Sequence, residues 1–316
     1  MDVTEETIER ALAGDARALA RLVSLVEDGA PELRPVMKAL APLTGGARVI
    51  GLTGAPGVGK STMTAALVRA YREHDLRVGV LAVDPTSPFT GGALLGDRVR
   101  MQDHATDPGV FIRSMASRGH LGGLAAATPQ ALRVLDAAGF GVVLVETVGV
   151  GQAEVEVASL ADTTLVLVAP GTGDAVQAAK AGILEVGDIF VVNKCDNPGA
   201  QETVRNLRTM IAMAARGPGD WKPSIVTTTA TAGEGIADLA AALDAHASWL
   251  DSSGERDRRR RARAREEVAA IAVATLRHRM GGLPGDSRLD ELAARVAAGE
   301  LDPYSAADEL VATASA

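Results

Sequence analysis

The chain has 316 residues and a formal net charge of −8. An acidic protein of this kind is not expected to bind nucleic acid, because such binding requires a basic surface. Hydrophobic residues make up 47% of the chain but aromatic ones only 3%, so the core must be built from Ala, Val, Leu and Ile. The single cysteine, Cys195, excludes an internal disulfide and is typical of a reducing compartment.

The first residues are acidic, whereas a signal peptide begins with a basic and then an apolar segment. No apolar run approaches the roughly 20 residues that a membrane-spanning helix needs. We therefore expect a cytoplasmic protein that makes no membrane contact.

Apolar residues at helical spacing predict an N-terminal helical segment over residues 1–44. We expect its apolar faces to pack on the following domain rather than to form a separate recognition surface. Over residues 45–250, continuous apolar runs alternate with helical patterns. This alternation predicts an α/β fold, with a mostly parallel sheet covered by helices on both faces.

A phosphate-binding loop follows the first predicted strand. Its sequence matches G-x-x-x-x-G-K-[ST] between an apolar run and a helix, which is the context the motif requires. Backbone N–H groups and the helix N-terminus bind phosphate, while Lys60 would reach the β- and γ-phosphates as a catalytic residue. A glycine-rich turn without a ligand explains the complete pattern less well. The residues predicted to bind the nucleotide here are Gly54, Ala55, Pro56, Gly57, Val58, Gly59, Lys60, Ser61 and Thr62.

Three acidic residues are predicted near a bound Mg²⁺, together with the hydroxyl of Ser61. Glu146 and Gly149 occupy an E-x-x-G sequence where many GTPases carry D-x-x-G, so Glu146 would hold the metal and the Gly149 N–H would face the γ-phosphate. Asp84 ends another apolar strand, and Asp97 could join from a loop. Mg²⁺ prefers oxygen ligands and keeps several waters, so one or two of these acids suffice.

A guanine-binding pattern, N-K-x-D, follows a later strand at Asn193, Lys194 and Asp196. The aspartate can accept hydrogen bonds from N1–H and the exocyclic amino group of guanine, whereas adenine offers no such donor pair. A plain surface turn is the alternative. The next strand is followed by a loop of the kind that contacts guanine O6, although its Gly-rich composition also fits an ordinary strand-to-helix turn. Its predicted binding residues are Thr229, Ala230 and Thr231. The order of the motifs predicts GTP rather than ATP.

The C-terminal residues 251–316 are predicted to form a helical extension that starts with the basic run Glu255–Arg263. Nucleic-acid binding is one interpretation of this run, but Glu266 and Glu267 follow it in an acidic protein. A solvated helix face is therefore preferred. The extension could pack on the preceding domain, pair with a second copy or hold a partner.

Three segments, Asp84–Pro88, Gly96–Met101 and Glu146–Glu154, resemble the MeaB/ArgK family of GTPases, which are similar to the human methylmalonic aciduria type A protein. The resemblance extends from the N-terminal helices to about Asp308. It implies a homodimeric P-loop protein that uses GTP/GDP and Mg²⁺. It also implies that GTP hydrolysis gates cobalamin loading and protects an adenosylcobalamin-dependent acyl-CoA mutase, typically methylmalonyl-CoA mutase.

The same resemblance assigns individual residues. Ser61, Asp84, Asp97 and Glu146 match the family's Mg²⁺ and switch residues. Two further residues match a segment that responds to the mutase and are predicted to be catalytic: Asp174 and Lys180. The alternative for the lysine is an ordinary solvated side chain.

Three other functions are alternatives to a GTP-hydrolysing chaperone. A kinase of a transport protein, the label attached to ArgK relatives, would need an arginine-rich lid, and the sequence has no clear one. A non-hydrolysing scaffold and an ATP-driven chaperone are further alternatives. Neither a Ras-like glutamine nor an arginine finger is evident, so intrinsic hydrolysis should be slow.

Overall fold

The computed structural model describes residues 5–85, 104, 106–117, 127–147, 153–171, 183–213, 217, 219–279 and 287–314. The chain divides into two compact units, residues 1–260 and residues 261–316. Within the described ranges, no helix combines the length and the apolar composition needed to cross a bilayer.

In the described ranges, the first unit is built around a seven-stranded sheet in which all neighbouring strands are parallel. The strands are β1 (Arg48–Thr53), β2 (Val78–Pro85), β3 (Val110–Ser117), β4 (Val142–Thr147), β5 (Thr163–Val168), β6 (Ile189–Val192) and β7 (Ser224–Thr227). Their order is β3-β2-β4-β1-β5-β6-β7, which places β1 in the middle. Every residue of β4, β5 and β6 is buried, as expected for a parallel sheet covered on both faces.

Helices cover both faces of this sheet. Those of the first unit are α1 (Glu5–Leu12), α2 (Ala16–Asp28), α3 (Leu33–Leu40), α4 (Lys60–Arg72), α5 (Thr128–Ala137), α6 (Ala153–Leu160), α7 (Ile183–Val186), α8 (Ala200–Met213) and α9 (Ile236–Ser253). Side chains alternate along a strand. Val143 and Val145 therefore share a core with α5, whereas Val142 and Leu144 share one with α4 and α9. The predicted α/β architecture is confirmed.

The N-terminal helices pack on the sheet. Leu19 and Leu22 of α2 are buried in the same core as Leu81 of β2 and Val143 of β4. The side chain of Asp15 caps α2 by accepting hydrogen bonds from two backbone N–H groups, at 2.8 and 3.1 Å. Core packing, rather than a separate recognition surface, is therefore the correct interpretation of these apolar faces.

The second unit is helical. A long helix, α10 (Glu255–Arg279), begins in the first unit and supplies residues 261–279, and α11 (Ser287–Ala297) and α12 (Pro303–Ala314) follow. The small shared core of α11 and α12 is formed by Leu292, Ala306 and Leu310. This agrees with the predicted helical extension, while the predicted domain boundaries at residues 44 and 250 stay predictions.

The start of α10 corrects the interpretation of the basic run. Arg256, Arg259 and Arg260 are only 14–29% exposed, because their guanidinium groups bind two buried acids. Asp162 lies 3.4 Å from Arg256 and 3.2 Å from Arg260, and Asp188 accepts hydrogen bonds of 2.9 and 3.0 Å from Arg259. A solvated face is therefore wrong for these three arginines. Buried carboxylates require charged or hydrogen-bonding partners, and the basic run provides them.

Candidate functional site

The predicted site residues that the structure describes lie along one edge of the sheet, at the carboxyl ends of its strands. The phosphate loop, residues 54–59, connects β1 to α4, and Glu146 lies in the neighbouring β4, paired with Leu52 of β1. Asn193 follows β6, and Thr229 follows β7. Ligands of open parallel α/β sheets bind at this edge.

The backbone of the phosphate loop requires glycine. Gly54 has a φ of +140° and Gly59 a φ of +94°. A Cβ on Gly54 would lie 2.3 Å from the carbonyl oxygen of Leu167, and one on Gly59 would lie 2.5 Å from Nδ2 of Asn193. The loop therefore lies directly against β5 and the N-K-x-D segment. It ends at the N-terminus of α4, whose positive dipole end favours phosphate.

Lys60 is folded back onto this loop. The residue is only 7% exposed, and its ammonium group donates hydrogen bonds to the carbonyl oxygens of Gly54 (2.6 Å) and Ala55 (3.0 Å). A buried ammonium group needs such acceptors. Phosphate oxygens would be stronger acceptors than neutral carbonyls, since hydrogen bonds between two ionised groups are stronger. The loop therefore holds a cation next to the predicted phosphate position.

Oxygen atoms suited to Mg²⁺ meet beside the loop. The hydroxyl of Ser61 donates to Oε1 of Glu146 at 2.6 Å, and both residues are buried. Mg²⁺ is typically held in such sites by one or two protein oxygens together with phosphate oxygens and water. A hydroxyl and a carboxylate in contact at the end of the phosphate loop therefore fit Mg²⁺.

Thr64 also contacts this carboxylate, and the sequence analysis did not single it out. Its hydroxyl is fully buried and lies 2.9 Å from Oε2 of Glu146. The signal in the sequence is a polar residue one turn after Lys60, on the face of α4 that also buries Met63 and Leu67. A motif that ends at Ser61 does not include this position.

Asn193 connects the phosphate loop to the loop after β7. Its Nδ2 donates to the carbonyl of Val58 at 2.9 Å, and its Oδ1 accepts from the Thr228 hydroxyl and the Ala230 N–H, both at 3.1 Å. The side chain is 2% exposed. It therefore braces the phosphate loop against the loop after β7.

The rest of the N-K-x-D segment is more exposed. The ammonium group of Lys194 donates to the carbonyl of Gly57 at 2.7 Å, and Asp196 is an exposed residue. Cys195 lies between them, and its thiol donates to the carbonyl of Val192 at 3.0 Å. Burial raises the pKa of this thiol. The thiol therefore stays protonated at neutral pH, which argues against a nucleophilic role.

The loop after β7 is ordered by its own hydrogen bonds. The N–H of Thr229 donates to the carbonyl of Glu234 at 3.1 Å, and the N–H of Ala232 donates to the carbonyl of Thr229 at 2.9 Å. Thr231 is exposed at the tip. The loop thus lies beside Asn193, where the guanine contact is predicted.

Several predicted residues remain without a described side chain. Asp84 is the penultimate residue of β2, where its backbone pairs with Ala116 of β3, but its side chain is not described. Four residues lie outside the described ranges: Asp97, Gly149, Asp174 and Lys180. Among the described residues, no three His, Cys, Asp or Glu side chains are grouped to hold a metal ion.

The sequence matches a family model described as methylmalonyl-CoA mutase-associated GTPase MeaB over residues 19–283. The chain belongs to the MeaB family. The resemblance seen in the motifs is therefore confirmed, and the protein is a member of a GTPase family.

Known proteins similar to this MeaB-family chain agree with the assignment. A predicted GTPase of Pyrococcus abyssi is 47% identical over 310 residues, which cover 97% of this chain and 95% of that protein. The mitochondrial methylmalonic aciduria type A homolog of Mus musculus is 36% identical over 193 residues, or 60% of this chain and 46% of that protein. The crystal structure of an LAO/AO transport system kinase has a TM-score of 0.71 at 26% identity, covering 100% of both chains. The P-loop NTPase fold is thereby confirmed.

Proposed function

We propose that this MeaB-family protein binds and hydrolyses GTP with Mg²⁺, and that the cycle gates cobalamin loading and protects an adenosylcobalamin-dependent acyl-CoA mutase. The observation that carries the nucleotide part is the bridge made by Asn193. Its side chain binds the phosphate loop at Val58 and the loop after β7 at Ala230. The loops predicted to bind the phosphates and the base are therefore connected by one side chain. The description of the family supports methylmalonyl-CoA mutase as the client.

In the proposed reaction, water attacks the γ-phosphate in line, and GDP leaves. Lys60 and the loop N–H groups bind the β- and γ-phosphate oxygens, where negative charge develops. Ser61 and Glu146 would hold Mg²⁺, which neutralises phosphate charge when bound; Asp84 and Asp97 are further proposed ligands. The Gly149 N–H is proposed to face the γ-phosphate.

Partner control is proposed to lie in two loops, one near Asp97 and one that contains Asp174 and Lys180. Because neither a water-positioning glutamine nor an arginine finger is evident in the sequence, intrinsic turnover should be slow, and the mutase should accelerate it by ordering these loops. The test is GTP turnover of the purified protein with and without the mutase. Equal rates would contradict partner control but leave GTP hydrolysis itself in place.

Guanine selection is tested at Asp196. The substitution Asp196→Asn removes the acceptor for the two guanine donors and should shift preference from guanine toward xanthine nucleotides. Binding of GDP, XDP and ADP to both proteins is measured by calorimetry. The exposed Asp220→Asn is a matched control and should keep the wild-type preference. Tight ADP binding by the wild-type protein would instead favour an ATP-driven chaperone.

The client can be identified by capture from native lysate. The bait is this protein in complex with a non-hydrolysable GTP analogue. We expect an acyl-CoA mutase to co-purify, and its identity decides between methylmalonyl-, isobutyryl- and ethylmalonyl-CoA mutase. We further propose a homodimer located in the cytoplasm. Capture that yields no mutase in any nucleotide state would contradict the proposed partner.

A kinase of a transport protein is the second candidate, because the solved structure that resembles this chain carries that name. Such a kinase would transfer the γ-phosphate to a protein side chain rather than to water. Labelled γ-phosphate appearing on a protein would favour the kinase. Its release as inorganic phosphate alone would favour the GTPase.

A further inference from the structure

Both carboxylate oxygens of Glu146 are held by hydroxyl groups of α4. Ser61 Oγ donates to Oε1 at 2.6 Å, and Thr64 Oγ1 lies 2.9 Å from Oε2. Glu146 and Thr64 are 1% and 0% exposed. These contacts fix the direction of a carboxylate that has one more rotatable bond than the aspartate usual at this position of GTPases.

The hydroxyl of Thr64 has a choice of two acceptors. It also lies 3.1 Å from the carbonyl oxygen of Lys60, the ordinary contact of a helical threonine with the residue four positions earlier. A hydroxyl carries only one proton. The carboxylate is the closer and the charged acceptor, and hydrogen bonds to ionised groups are the stronger ones, so the proton is directed to Glu146.

We propose that Thr64 is the positioning residue for Glu146 and thereby sets the affinity for Mg²⁺. Its bond to Oε2 leaves Oε1 facing the Ser61 hydroxyl, the other oxygen that fits the metal. Thr64 itself would not touch the metal or the nucleotide. This inference rests on the proposed Mg²⁺-dependent nucleotide binding.

The test uses the full-length protein and measures GDP affinity with a fluorescent GDP analogue, first in EDTA and then over a Mg²⁺ titration. Thr64→Val removes the hydroxyl at nearly constant volume. We expect its GDP affinity in EDTA to stay close to that of the wild type, while the Mg²⁺ concentration at half effect rises about tenfold to a hundredfold, as for other residues that orient metal ligands.

Two variants control for structural effects. Thr64→Ser restores the hydroxyl and should recover most of the wild-type Mg²⁺ requirement. Thr128→Val removes another fully buried hydroxyl, which has no hydrogen-bond partner in the described part of the chain, and should leave the Mg²⁺ requirement unchanged. In a Glu146→Gln background, Thr64→Val should cause no further shift, because the positioned carboxylate is gone.

The outcomes separate this inference from the proposed function. A normal Mg²⁺ response in Thr64→Val, with a responsive wild type, overturns the role of Thr64 alone. A wild-type protein that binds no GDP, or binds it independently of Mg²⁺, overturns the proposed function. If Thr64→Val does not fold, Thr64→Ala is measured in its place, and an unchanged Mg²⁺ requirement there equally overturns the inference.

Discussion

Close contacts of single residues with the backbone hold the phosphate loop of the candidate site in place. Gly54 lies against the backbone of Leu167, so the phosphate loop and β5 approach each other more closely than any side chain permits. Asn193 makes three hydrogen bonds while almost fully buried. Buried polar networks of this kind are rigid only when every member is satisfied. The shape of the phosphate loop therefore depends on its neighbours as well as on its own sequence.

The effect of the close approach at Gly54 on stability can be separated from the effect of backbone strain. Gly57 also has a positive φ, +84°, but a Cβ there would meet nothing within 4 Å. We expect Gly57→Ala to lower the free energy of unfolding by about 1–2 kcal/mol through strain. Gly54→Ala should cost about 2–5 kcal/mol, since it adds a clash with the Leu167 backbone. Urea denaturation without nucleotide, monitored by circular dichroism, measures both losses of unfolding free energy. Equal losses would show that the close approach is unimportant.

At the scale of elements, α10 is attached to the sheet by buried ion pairs. Asp162 and Asp188 immediately precede β5 and β6, and their carboxylates also accept hydrogen bonds from backbone N–H groups of neighbouring strands, at Val49 and Thr164. Arg256, Arg259 and Arg260 complete the pairs. The beginning of α10 is therefore part of the first unit.

The pair between Asp188 and Arg259 lies against a ring cluster. His246 is fully buried, with its ring centroid 4.7 Å from that of Trp221 and 5.5 Å from that of Trp249. Its Nε2 lies 3.3 Å from Oδ1 of Asp188, without hydrogen-bond geometry. Both tryptophans of the chain are thus close enough to report on this pair by fluorescence.

Loss of the Asp188 carboxylate should destabilise the protein. Burial alone would raise the pKa of Asp188, but His246 and Arg259 outweigh it and hold the pKa below its usual value. The carboxylate therefore stabilises the fold above the unfolded pKa of about 3.9, and this stability is lost as the pH falls through the lower folded pKa. Asp188→Asn should cost about 3–5 kcal/mol at pH 7, because it leaves Arg259 without its buried partner.

The measurement is urea denaturation at a series of pH values from 7 down to 3, monitored by tryptophan fluorescence. The difference between wild type and Asp188→Asn should shrink as the pH falls below about 4. Asp251→Asn is the control, since Asp251 pairs with Arg256 but its side chain is 64% exposed, and exposed pairs contribute little. A constant difference at every pH would mean that packing, rather than charge, accounts for the loss.

The contrast between the phosphate loop and α10 shows what the sequence could predict. The P-loop and N-K-x-D patterns are local, and each residue type has a fixed task, so the phosphate-binding loop and the guanine-binding segment could be predicted. The partners of the basic run could not be predicted. Asp162 and Asp188 are distant in sequence, and their burial depends on tertiary packing. Thr64 of α4 was not predicted for the same reason, because its partner Glu146 lies in β4, 82 residues away in the sequence.

For the whole molecule, the exposed apolar residues of the second unit bear on the proposed homodimer. Val268 and Ile271 are 67% and 43% exposed, and residues three positions apart lie on one face of a helix. Isolated exposed apolar residues are ordinary, but two on one face of a helix can form the centre of an interface. A stable interface buries on the order of 1,200–2,000 Å² in total, so these residues would contribute only part of it.

The double substitution Val268→Asp and Ile271→Asp tests this face. If the homodimer forms there, burying two carboxylates without partners costs far more than the interface gains, and the variant should be a monomer. Its fold should persist, because exposed positions tolerate such changes within about 0.5 kcal/mol.

Met213→Asp, at a 78% exposed apolar residue of α8, is the matched control and should remain a dimer. Size-exclusion chromatography with light scattering gives the mass of each protein. A dimeric double variant would place the interface elsewhere, and a wild-type protein that stays monomeric at all concentrations would contradict the homodimer itself.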